Sequence, residues 1–124
     1  MRACFARAVL EDLAHAEKTR DCIMQFNEYQ KLAGETDLEH PLNYYFLGLT
    51  EEAGEVAGLR KRYLRDEGNT DYDKMTKELG DVMWYVARLA HRYNLKLDDI
   101  ASENIVKLQD RKQRGVICGV GDSR

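Results

Sequence analysis

The chain has one proline, three cysteines, three histidines and no excess of basic residues. Each shortage closes off a class of protein. With Pro41 as the single proline, long helices meet few obligatory breaks. Cys4, Cys22 and Cys118 are odd in number, widely spaced and form no CxxC, which fits free thiols in a reducing cytoplasm. His15, His40 and His91 make no HxxxH or Cys/His cluster, which argues against zinc. No apolar run approaches the ~20 residues of a membrane span. A net charge of −3 argues against a binder of nucleic-acid polymers, which would be basic. The first ten residues loosely resemble a signal peptide, but they lack a sustained apolar centre, and Glu11 and Asp12 interrupt them at once.

What is present reads as one ordinary folded domain. The chain has 124 residues, 44% hydrophobic and 33% charged, enough for a modest core and too apolar for disorder. Residues 1–23 form an amphipathic helix by spacing, with Phe5, Val9 or Leu10, and Leu13 near one face. A new phrase begins at Met24, so this stretch is expected to be an accessory arm; the competing reading is that it adds core or dimer contacts. A helix is expected from about Phe26 to Leu32, stopping near Gly34.

His40-Pro41 opens the next helix, because proline suits a first turn. Leu42, Phe46, Leu49, Ala53, Val56 and Tyr63 follow as a core stripe, with Arg60 filling one gap. That helix should fade in the polar run 65–70. In the following helix Met75, Leu79, Val82, Val86, Leu89 and Tyr93 repeat without a break, and Asn94 ends it. Beside that stripe runs a second line of Glu78, Asp81, Tyr85 and Arg88. A last helix opens at Leu97, with Asp98 or Asp99 as its cap. Its apolar side is Ile100, Ala101, Ile105 and Leu108, while Asn104, Lys107 and Arg111 share another face. Residues 113–124 are glycine-rich and read as a flexible tail. No strand pattern persists. The expected fold is all-α, a bundle of four to five helices. Met83, Trp84 and several tyrosines lie off the main stripes, so oligomerisation should complete the bundle.

The chemistry lies in the acids. Glu52 and Glu55 are three apart, as are Glu78 and Asp81, and an i,i+3 pair shares one helix face. Glu51 points elsewhere. One such pair is usually a solvated face; two pairs on consecutive helices, each beside a core stripe, are harder to dismiss. Packed side by side, the two helices would crowd four carboxylates, each raising its neighbours' pKa, so a cation belongs among them. Hard ions with oxygen ligands, Mg²⁺ or Mn²⁺, suit that donor set. A di-iron bundle would require Glu-x-x-His, which does not occur. Taken alone, Asn104, Lys107 and Arg111 read as helix surface, and the glycines of the tail are no dinucleotide fingerprint.

Glu51-Glu52-Ala-Gly-Glu55 followed by Glu78-Leu-Gly-Asp81 resembles the EExxE…ExxD signature of the MazG-like, all-α nucleoside triphosphate pyrophosphohydrolases. The resemblance extends from about Met24 to Arg124. It includes Phe26-Asn-Glu-Tyr-Gln30, Leu47-Gly-Leu49, Asp81-Val-Met-Trp-Tyr85, Asn104-Ile-Val-Lys-Leu108 and the closing glycine-rich stretch. It implies a catalytic helical domain over 24–112. It also implies hydrolysis of (deoxy)nucleoside triphosphates between the α and β phosphates to the monophosphate and pyrophosphate, with (d)GTP slightly favoured. By the same resemblance Glu52, Glu55, Glu78 and Asp81 are metal ligands for two or more Mg²⁺ or Mn²⁺. Glu51 polarises water or tunes the site, Tyr85 packs near the sugar, and Lys61, Asn104, Lys107 and Arg111 hold phosphates or order the ligands. Asp122 and Arg124 would reach over a neighbour's site in a homodimer or homotetramer. Base choice is expected to depend on the surroundings of Tyr29, Gln30, Tyr44, Tyr45 and Trp84. The competing class is a non-enzymatic, dimeric helical regulator that keeps a relic nucleotide pocket; its mark would be a missing ligand, and none of the four is missing.

Overall fold

The structure, a computed structural model, describes residues 24–118. Four helices follow one another: α1 (Phe26–Gly34), α2 (Leu42–Asp66), α3 (Tyr72–Arg92) and α4 (Leu97–Gln113). No strand occurs among the described residues. The fold is therefore all-α. The proposed arm over 1–23, and Asp122 and Arg124, lie outside the described residues.

The helix ends follow local chemistry. Pro41 stands immediately before α2. Glu67, in the left-handed region at φ 48°, ends that helix one residue before Gly68. Asp71 caps α3, its Oδ1 accepting from the Lys74 amide at 3.0 Å. Asn94 stops α3 by adopting φ 55°, a conformation that asparagine tolerates better than most residues. The cap expected at Asp98 or Asp99 is replaced by one supplied from another helix. The amide of Leu97 donates to Gln30 Oε1 (3.1 Å) and that of Asp98 to Asn27 Oδ1 (3.1 Å). Gln30 Nε2 in turn donates to the Leu95 carbonyl at 2.9 Å. Asp98 and Asp99 sit one step inside, in the first turn, where their charge still meets the positive end of the helix dipole.

Helix α2 packs against α3 as a long hairpin, α1 lies across α3, and α4 rests on α1. The core is small and built for close approach. Ala33, Ala87, Ala90 and Leu97 are buried together, with Tyr29 and Trp84 packed against them. Tyr45 is the one large side chain fully buried among the described residues.

The inward faces are rotated from the expected stripes. Leu42, Phe46 and Ala53 of α2 are exposed, as are Leu79 and Val86 of α3 and Tyr93 just after it; Leu49, Val56, Tyr63, Met75, Val82 and Leu89 are half-buried. The line that faces inward on α2 runs through Tyr45, Gly48 and Glu52, and on α3 through Glu78, Tyr85 and Arg88. Periodicity finds the most apolar line of a helix, whereas burial needs an element to cover that line, and no helix described here lies over this one. Phe46 and Tyr93, both about half exposed, instead meet each other edge to face at 6.3 Å.

Candidate active site

The site is built where α2 and α3 come closest. Gly48 permits that approach: a Cβ there would stand 2.2 Å from Cε1 and Cζ of Tyr85, far inside contact distance. One turn further along α2, Glu52 faces α3. Oxygens of Glu52, Glu55 and Glu78 all lie within 4.8 Å of one another. Glu52 and Glu78 are half-buried and Glu55 is exposed. Asp81 stands outside this three-way group but opens, with Glu52, onto a cavity of about 330 Å³ also lined by Thr36, Trp84 and Tyr85.

The electrostatics are those of unneutralised crowding. Burial pushes the Glu52 carboxyl up, and the charges of Asp81, Glu55, Glu51 and Glu78 add to it. Glu78 is likewise raised, first by burial and then by Glu55 and Asp81, with Arg62 pulling weakly the other way. The donor set consists of hard carboxylate oxygens drawn from two helices, close enough to share one ion and short of positive charge. These residues fit a divalent cation.

Around the acids the walls are aromatic and held by hydrogen bonds. Trp84 Nε1 donates to Thr36 Oγ1 at 2.8 Å, and Thr36 Oγ1 donates to the Ala33 carbonyl at 2.8 Å. The Tyr85 hydroxyl donates to that of Tyr44 at 3.5 Å. That bond, then burial and the charges of Tyr44, Glu52 and Glu51, push the Tyr85 phenol far up, so it stays protonated and can act as a donor. Tyr29 is also raised, by burial and then by Asp81.

The other residues singled out by sequence are distributed differently. Glu51 is exposed, although Glu52 and Tyr85 both feel its charge. Lys61 is exposed further along α2. On α4, Asn104 and Lys107 are exposed and Arg111 is buried. None of these five lines the cavity of the single chain. Of the aromatic and amide groups expected around the base, Trp84 lines the cavity, Tyr44 holds the Tyr85 hydroxyl, and Gln30 is spent on bracing α4. Tyr45 is buried, its hydroxyl donating to Asp37 Oδ1 at 2.7 Å.

Thr36, Asp37 and Arg62 carry no signal in the spacing. Thr36 reaches Trp84 across 48 positions of sequence from a loop without periodicity, and only folding brings them together.

Comparison with known proteins finds a family and a relative. The model of the MazG nucleotide pyrophosphohydrolase domain matches residues 42–116, which spans α2, α3 and α4. The Gene 37 protein of Mycobacterium phage L5 is 46% identical over 96 residues, covering 74% of this chain and 84% of that protein. No solved structure matches.

Proposed function

Because the chain belongs to the MazG nucleotide pyrophosphohydrolase family, we propose that it cleaves (deoxy)nucleoside triphosphates between the α and β phosphates, releasing the monophosphate and pyrophosphate. The observation that carries this reading is the meeting of Glu52, Glu55 and Glu78 oxygens within 4.8 Å, with Asp81 on the adjoining cavity. Those four acids would hold Mg²⁺ or Mn²⁺. Bound there, the ions would offset the triphosphate charge and bring the pKa of a water towards neutrality.

The chain's own groups supply the rest. Glu51, whose charge reaches Glu52 and Tyr85, would polarise the attacking water or tune the site, and attack on the α phosphorus runs in line with the departing pyrophosphate. Tyr85, a protonated donor on the cavity wall, packs against the sugar. Lys61, Lys107 and Arg111 offset charge on the leaving group while Asn104 orders the phosphates. Since Lys61, Asn104 and Lys107 are exposed and do not line the cavity of one chain, a second copy would bring them to it in a homodimer or a larger assembly. The exposed Leu42, Phe46, Val86 and Tyr93 offer that copy an apolar face.

Among the described residues no helix is long and apolar enough to cross a membrane, in keeping with a cytoplasmic site of action on free nucleotides. We propose a slight preference for (d)GTP within broad (d)NTP hydrolysis. The decisive measurement is pyrophosphate release from each common ribo- and deoxyribonucleoside triphosphate with Mg²⁺ or Mn²⁺. Metal-dependent release, fastest with guanine nucleotides, is expected. Saturable binding without release from any of them would replace the enzyme by a nucleotide-binding regulator.

A further inference from the structure

A second cavity, of about 670 Å³, lies between α1, the loop that follows it, the end of α3 and the connection from α3 to α4. It shares no lining residue with the acid cavity. Its volume is that of a small-molecule pocket. Arg88 forms part of its wall and is only 5% exposed.

The state of that guanidinium is informative. Its Nε donates to Asp37 Oδ2 at 2.8 Å. The other oxygen of Asp37 is taken by the Tyr45 hydroxyl and by the Glu39 amide. Among the described residues, Nη1 and Nη2 of Arg88 make no hydrogen bond, so four of the five N–H donors of this buried group have no protein acceptor. Leaving such donors unmet is costly. Both nitrogens reach the wall at Gly34: a Cβ there would lie 2.9 Å from Nη1 and 3.9 Å from Nη2. The glycine keeps the fork uncovered.

A planar pair of N–H groups selects an oxyanion that can accept two parallel bonds. The rest of the lining narrows the choice. Lys31 and Lys96 add positive charge, but Glu35 and Glu39 match it, as Asp37 matches Arg88. A cavity balanced in this way has no general pull on a polyanion such as a triphosphate, whereas one carboxylate meets the fork without stacking charge against the two glutamates.

We infer that this cavity is a second small-molecule site, in which Nη1 and Nη2 of Arg88 hold the carboxylate of a small organic acid. The site is separate from the acid cluster, and a binding readout makes its test independent of nucleotide hydrolysis.

The test is a two-dimensional NMR titration of the full chain with propionate at constant ionic strength, with inorganic phosphate as the contrasting probe. Arg88→Lys is the direct variant but, while keeping the charge, gives up the Nε–H bond to Asp37 in a buried pair, so Gly34→Ala is the informative one. Alanine suits the helical backbone at this position, and its Cβ displaces only the flexible end of Arg88. Saturable propionate shifts at Gly34 and the Arg88 Nε–H are expected. The propionate affinity read at the Arg88 Nε–H should weaken about tenfold in Gly34→Ala while its thermal midpoint is not lowered, and phosphate should bind more weakly than propionate. No saturable response in the wild type, an unchanged response in Gly34→Ala, or phosphate binding as well as propionate would each overturn the proposal.

Discussion

Two regions of this molecule bring charge out of water, and they do so on opposite plans. Between α2 and α3, carboxylates crowd together and Glu52 and Glu78 are pushed up in pKa. Between α1, α2 and α3, Asp37 and Arg88 face each other with side chains 3% and 6% exposed. Burial alone would raise Asp37 too, yet hydrogen bonds from Tyr45, Arg88 and the Glu39 amide outweigh it and hold the carboxyl below its ordinary range. Matched charge of the second kind pins a fold; unmatched charge of the first kind waits for a ligand. The loop that joins α1 to α2 links the two regions, since Thr36 lines the acid cavity and the next residue is Asp37.

The contrast can be broken by exchanging what each region has. The largest effect should come from the acids. Glu55→Gln or Asp81→Asn should lower turnover by about two orders of magnitude or more with far-UV circular dichroism unchanged. Near wild-type pyrophosphate release from both variants would end the metal-site assignment.

Next in size, Asp37→Ala leaves Arg88 buried without its carboxylate. We expect a loss of about 3–5 kcal/mol in urea unfolding; a loss below about 1 kcal/mol would mean that the pair behaves as a surface contact. The pH dependence carries the same information. A carboxyl lowered on folding contributes stability that is complete above its unfolded value, about 3.9, and is lost as pH falls through the lower folded value. Asp37→Asn should flatten that acid limb.

Gly48→Ala should cost about 1–3 kcal/mol, because its Cβ would overlap the Tyr85 ring and force α2 and α3 apart. Since the same spacing sets the distance between the acids of the two helices, turnover should fall with stability. Intact activity alongside reduced stability would uncouple the helix spacing from the site.

The smallest effect has the opposite sign. A raised carboxyl binds its proton more tightly in the folded chain, so Glu52 imposes a penalty that is complete above its folded pKa and relieved as pH drops below it. In chelator at neutral pH, Glu52→Gln should therefore raise the thermal midpoint slightly. Added Mn²⁺ should raise the wild-type midpoint more than that of the variant, because the ion binds the folded state. Equal metal shifts in the two proteins would place the ion elsewhere.

How much of this was legible in one dimension differs element by element. Pro41 and Asn94 announced a helix start and a helix end, and the polar run 65–70 a break, because those residues restrict their own backbone. The i,i+3 spacing of Glu52 with Glu55 and of Glu78 with Asp81 was readable because it depends only on helix geometry. The inward faces were not. Leu42, Phe46 and Val86 lie on the more apolar lines, yet the single chain turns Tyr45, Gly48 and Arg88 inward. Nor could spacing show that Asn27 and Gln30 cap a helix starting some seventy residues later.

By itself the sequence determined the four helices, their approximate limits and the pairing of acids on two of them, since each is a property of residues within a few turns of one another. Only the tertiary structure decided that Glu52, Glu55 and Glu78 converge, that Thr36 and Trp84 wall the neighbouring cavity, and that Arg88 is buried with most of its donors unspent. Those outcomes depend on the close crossing that Gly48 allows and on which helix happens to cover which face, and contacts between distant segments are settled when the chain packs.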